Sequence, residues 1–213
     1  MQPHPFDYQP NFLPDKDNEN IRKVISLLDI DTEPFYLDIL PDDGAEFGAC
    51  FINVLNKVAK ENGEIIYGWQ FAEYSYMIEA QFHAIWKSPS GNYIDITKHR
   101  GTYENKSLFV IDVKRKFDGT KTDNVRLNTT DNELVDDMIE LESARFRFLN
   151  NLENQLYFNA EETVVSNDIE STIDLLEEMY FNDYTIHAKC LCNSGKSYND
   201  CHRINFKEFI SSI

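Results

Sequence analysis

The run Ile78-Glu-Ala-Gln-Phe-His-Ala-Ile-Trp86, the tetrapeptide Pro89-Ser-Gly-Asn92 and the run Tyr93-Ile-Asp-Ile96 set the architecture of this chain. With a side-chain period of two, Glu79, Gln81 and His83 share one face of an extended segment, and Ala80, Phe82 and Ala84 share the other. Pro-Ser-Gly-Asn is turn chemistry, because proline presets φ while glycine and asparagine tolerate positive φ. The two runs therefore read as a β-hairpin. His83 lies on the polar face of the first strand, and Asp95 lies on the second, within cross-strand reach.

Outward from the hairpin, Ile65–Phe71 and Leu108–Val113 read as further strands of an antiparallel sheet. Upstream, Phe47, Phe51, Val54, Leu55 and Val58 recur at helical spacing from Glu46 until Asn62-Gly63. Ile21, Val24, Ile25 and Leu28 predict a short amphipathic helix over 19–29, and Phe35–Leu40 is an extended piece between two prolines. Downstream, 118–128 reads as polar loop. Thr130 and Glu133 have capping-box spacing and open a long helix to about residue 158, and Ser166 caps another to about Tyr180. Helix, strands, then helices make the class α+β. The expected organisation is an extended arm at 1–18, an α+β core at 19–128, a helical region at 129–185 packing on the core, and a distinct tail at 186–213. The arm contains four of the seven prolines.

A 42% hydrophobic and 13% aromatic content over 213 residues supports a packed core and excludes wholesale disorder. No run approaches the roughly 18 apolar residues of a membrane span. Met1-Gln-Pro-His-Pro-Phe-Asp7 has neither a basic n-region nor an apolar h-region, so no secretory signal is expected and the cytoplasm is the expected compartment. Twenty basic against 37 acidic side chains give a net charge of −17. So acidic a body repels phosphate backbones and anionic lipid, which argues against nucleic-acid or membrane partners for it.

Of four cysteines, Cys190, Cys192 and Cys201 cluster near the C-terminus, with His202 adjoining the last, while Cys50 stands far upstream. A reduced Cys₃His set matches the four ligands of a closed, structural zinc site, with one ion expected. Ser194-Gly195 permits the turn that folds the two pairs together. Metal binding would supply the folding energy of a segment too short for its own core. The segment Cys190-Leu-Cys192-Asn-Ser-Gly195-Lys-Ser-Tyr198-Asn-Asp-Cys201-His202 resembles the SEC-C motif, the zinc-binding tail of the preprotein translocase ATPase and of many bacterial proteins. Leu191 stands where that family often has proline. The resemblance, over about residues 188–204, implies a module that docks on a macromolecular partner. Lys189, Lys196, Arg203 and Lys207 outnumber Asp200 and Glu208, so the tail is a mildly basic patch, compatible with a protein partner or, through the tail alone, a nucleic acid.

Cys50 sits in the first turn of the proposed second helix, where unpaired amides favour a thiolate and can hold an oxyanion. Thiol on a helix start, imidazole on one strand and carboxylate on the next form the Cys-His-Asp pattern of an activated nucleophile, with Asp95 orienting His83. Residues 44–100 resemble the transglutaminase-like core of the papain-like superfamily. There a cysteine at a helix start precedes a His-Ala strand, here His83-Ala84, and a Gly-x-x-x-Asp-x-Thr strand, here Gly91 to Thr97. Ala49 replaces the tryptophan that usually precedes the family's cysteine. The resemblance implies a transglutaminase/papain-like fold and a cysteine hydrolase or acyltransferase for amides or thioesters. Trp69 and Gln70 are candidates for the oxyanion side, Asn53 for lining the site, and Glu79 for tuning His83 or pairing with a cation. His99, between Lys98 and Arg100, reads as surface, and a metal held by Cys50, His83 and Asp95 lacks a fourth ligand. The bland alternatives are a buried packing cysteine and a satisfied strand histidine. On those readings the body is a non-enzymatic adaptor that docks through its zinc tail.

Overall fold

The computed structural model describes residues 13–99, 105–152 and 158–213. The chain forms two compact units that divide between Thr129 and Thr130. Most of the expected N-terminal arm, and the end of the expected long helix, lie outside the described residues. The class is α+β, and its strands close into a small barrel.

In the first unit the order is α1 (Glu19–Leu27), β1 (Phe35–Ile39), α2 (Cys50–Glu61), β2 (Glu64–Glu73), β3 (Met77–Lys87), β4 (Tyr93–Asp95), β5 (Lys106–Ile111) and β6 (Val125–Asn128). β2 pairs with β3 on one side and β5 on the other; β5 pairs with β1, β1 with β4, and β4 with β3. That circuit is a closed five-stranded ring, with β6 added to the start of β3. The expected wholly antiparallel sheet is corrected at one seam: β1 and β4 run parallel. The expected loop at 118–128 likewise contains a strand, β6, whose four residues are too few to show a period.

Leu37, Ile85 and Phe109, with Phe35, Ile66, Tyr93 and Ile111, form one cluster drawn from all five ring strands, so it fills the barrel. Each such side chain, fully buried, is worth about 1.5–3 kcal/mol. Alternation then places His83, two residues from Ile85, and Asp95, two from Tyr93, on the inward face. Gly68 is directly opposite His83, and a methyl there would overlap the Val110 carbonyl oxygen and the Phe109 ring. Outside the barrel, Ile21, Val24, Ile25 and Leu28 of the α1 segment pack on Trp69, Phe71, Ile78 and Val110. Val54, Phe51 and Val58 of α2 pack on Ala84, Trp86 and Ile96.

The second unit contains α3 (Glu133–Asn151), α4 (Ala160–Phe181) and α5 (His202–Ser212). The capping box expected at Thr130 is absent; Asn132 is the N-cap and accepts the Leu134 amide. The α4 helix starts before Ser166, at a capping box formed by Asn159 and Glu162. Leu134, Met138, Leu141, Ile169, Ile173, Leu176 and Phe206 are buried.

Candidate functional site

The α2 helix begins at Cys50, later than the expected Glu46, because Gly48 adopts φ +70° and Ala49 is non-helical. Its first turn has no side-chain cap and no acidic residue, so no side chain of that turn neutralises its positive end. Asn53 secures the approach. Its amide nitrogen donates to the Glu46 carbonyl (2.8 Å) and to Thr97 Oγ1 (3.3 Å), and its oxygen accepts the Glu46 amide (3.0 Å). Asn53 thus holds the 46–49 turn in place, and its polar atoms are engaged there.

β4 pairs with β3 at Trp86 and Lys87, and β6 pairs with it at Met77 to Ala80. Between those pairings lies His83. Its Nε2 meets Asp95 Oδ2 at 2.9 Å, and the Cys50 sulfur is an electrostatic neighbour of the same ring. Asp95 is fully buried, and its Oδ1 accepts the Thr97 amide at 2.9 Å. Burial resists charge on His83, but the Asp95 carboxylate and the Cys50 sulfur outweigh it, raising the imidazole from 6.5 to about 10. Burial likewise opposes the Asp95 charge, yet the two imidazoles hold the carboxylate below its ordinary range. Cys50 and His83 are each 6% exposed.

Sequence reasoning missed the inward position of His99. Its Nε2 meets Asp95 Oδ2 at 2.6 Å, so the expected surface placement is corrected. The signal for it was indirect: Asp95, followed two residues later by Thr97, makes a side-chain turn that carries the chain back over its own carboxylate. His83, Asp95 and His99 are close enough to chelate a metal. Both nitrogens, however, have hydrogen-bond geometry onto one carboxylate oxygen. Two N–H donors on one acceptor account for these two contacts.

The remaining candidates divide. Trp69 is not part of the cluster: its indole donates to Asp112 (3.0 Å) and its ring packs with α1. Gln70 shares the inward face, opposite Gln81 and two rungs from the Gly68–His83 pair. Glu79 is buried against Arg126 (2.7 Å) and accepts from Gln81 (2.8 Å), so it is a paired anion.

In the second unit, Cys190, Cys192, Cys201 and His202 bring their ligand atoms within 4.8 Å of one another. The Cys192 sulfur lies 3.5 Å from that of Cys190 and 3.6 Å from that of Cys201. A tetrahedron on Zn–S bonds of about 2.3 Å has sulfur–sulfur edges of about 3.8 Å, so the cluster could hold a metal ion and is consistent with zinc. Cys190 Sγ and His202 Nδ1 are closer, at 2.9 Å. Lys189 and Ser197 bridge a small hairpin in which Gly195 has φ +81°, as the turn required. The expected basic patch is corrected. Arg203 clasps fully buried Asp137 through Nε (2.8 Å) and NH2 (3.0 Å) and reaches Glu133, while Lys207 binds Asp137 (2.8 Å) and Glu140. Two of the tail's four cations are therefore spent on α3.

Comparison with protein-family models, with curated proteins and with solved structures returns no match. No helix among the described residues is long and apolar enough to cross a membrane.

Proposed function

We propose that the first unit is a transglutaminase-like cysteine hydrolase or acyltransferase acting on an amide or thioester. One observation carries the reading: the Cys50 sulfur, at an uncapped helix start, shares an imidazole with a buried aspartate. An ionised carboxylate only accepts, so His83 donates through Nε2 and leaves Nδ1 to exchange a proton with sulfur. Cys50 Sγ attacks the carbonyl carbon, forming a C–S bond. The leaving nitrogen or sulfur departs with a proton from His83. Water or an acceptor amine then gives its proton to His83 and attacks the acyl-enzyme, breaking the C–S bond and restoring the thiol. The free α2 amides are available for the oxyanion. The second unit ends in a SEC-C-like module holding one structural zinc ion, which docks a protein partner or substrate.

Burial of Cys50 favours the second reading, a non-enzymatic adaptor whose thiol is core packing. Iodoacetamide labelling of the native protein decides between them. The enzyme reading expects Cys50 to react in the folded state, and His83→Ala to slow that reaction about tenfold or more. Labelling of Cys50 only after unfolding removes the enzyme reading and leaves the adaptor.

A further inference from the structure

Asp95 has no exposed surface, and three donors converge on it: the Thr97 amide on Oδ1, and His83 and His99 together on Oδ2. The two imidazoles lie 5.4 Å apart, centroid to centroid, at an interplanar angle of 49°. The carboxylate accepts and does not donate, so the nitrogen that faces it on each ring carries hydrogen. His99 follows the Asp95–Thr97 turn, and its ring returns to the same carboxylate at 2.6 Å. We infer that His99 is a positioning residue for the thiol site, fixing Asp95 Oδ2 between two rings so that His83 is held in one tautomer and orientation. The inference rests on the thiol-enzyme reading and adds to it a residue that touches neither sulfur nor substrate. Asp95 anchored only by Thr97 keeps one oxygen in place and frees the other to turn from His83. A frozen carboxylate is the condition for a fixed imidazole beside a nucleophile. Among the described residues, Glu79 on this face is engaged with Arg126, and Gly68 presents no side chain across from His83.

The test uses the full chain and iodoacetamide, with the pH–rate profile of Cys50 alkylation measured for wild type, His99→Phe and His99→Gln. Phenylalanine keeps a ring and removes the donor; glutamine keeps an N–H donor. The expected result is alkylation about tenfold slower in His99→Phe at neutral pH, the loss of one hydrogen bond to a charged acceptor, with its profile displaced to higher pH. His99→Gln is expected within about twofold of wild type. A His99→Phe profile that superimposes on wild type overturns the inference, as does a His99→Gln variant as slow as His99→Phe. If wild-type Cys50 does not react in the folded state, the enzyme reading fails separately. In that case, or if His99→Phe does not fold, ¹⁵N-histidine spectra of the wild type decide. An exchange-protected Nε2–H on His99 supports its hold on Asp95, and a proton on Nδ1 alone overturns it.

Discussion

Asp95 shows how one side chain sets the behaviour of its neighbours. Its negative charge, removed from water, is compensated by two ring nitrogens and a backbone amide. The sign of the pH dependence follows from both partners. The depressed Asp95 contributes stability that is complete above the ordinary carboxylate value of 3.8 and is lost as acid protonates it in the fold. The raised His83 contributes stability that is complete below 6.5 and fades as pH rises toward about 10. The stability difference between wild type and Asp95→Asn, from urea unfolding across pH, is therefore expected to peak between 3.8 and 6.5. Breaking a buried pair costs about 3–5 kcal/mol, which sets the height of that peak. A difference that does not vary with pH would show that the pair is not ionised. His83 and Asp95 were legible as a facing pair because period two assigns faces without knowledge of the fold. His99 was not, because flanking Lys98 and Arg100 read as solvent and only the turn at Asp95–Thr97 brings it inward.

Among the elements, helix ends were read least well, and for a local reason. Thr130 and Ser166 have good capping chemistry, but Asn132 and Asn159 compete for the same role and win. The α5 helix was missed because Cys201 and His202 drew the reading toward ligation, while its hold on α3 is long-range. Asp137 anchors it: a fully buried α3 carboxylate facing Arg203 and Lys207 of α5. Replacing Asp137 with Ala leaves two cations without their central partner. The expected outcome is a loss of about 3–5 kcal/mol from the second unit, read by chemical denaturation. Arg203→Lys is expected to cost less but measurably, since an ammonium cannot reproduce the two-pronged contact. A Asp137→Ala protein as stable as wild type would show that the helix is held by Phe206 and Ile210 alone.

At the scale of the molecule, the class and most of the strands were visible in the hydrophobic periods, but β6 and the closed ring were not. Closure depends on the parallel seam between β1 and β4, a pairing far apart in sequence that no local pattern encodes. The Cys₃His cluster was legible throughout, because the spacing of its thiols and imidazole within residues 190–202 is a local property of the sequence. Chelation at neutral pH is expected to release one zinc ion per chain and open 186–213 to protease, read by mass spectrometry of the fragments. Cys192→Ser is expected to show the same cleavage without chelator. Full protection of that segment in metal-free protein would show that the clasp on α3 folds it unaided.

The parallel seam also bears on synthesis. β1 leaves the ribosome first among the ring strands, yet its two partners, β4 and β5, begin only at Tyr93 and Lys106. Leu37 and Ile39 must therefore wait, unpaired and apolar, while most of the first unit is translated, and the ring can shut only in a late, slow step.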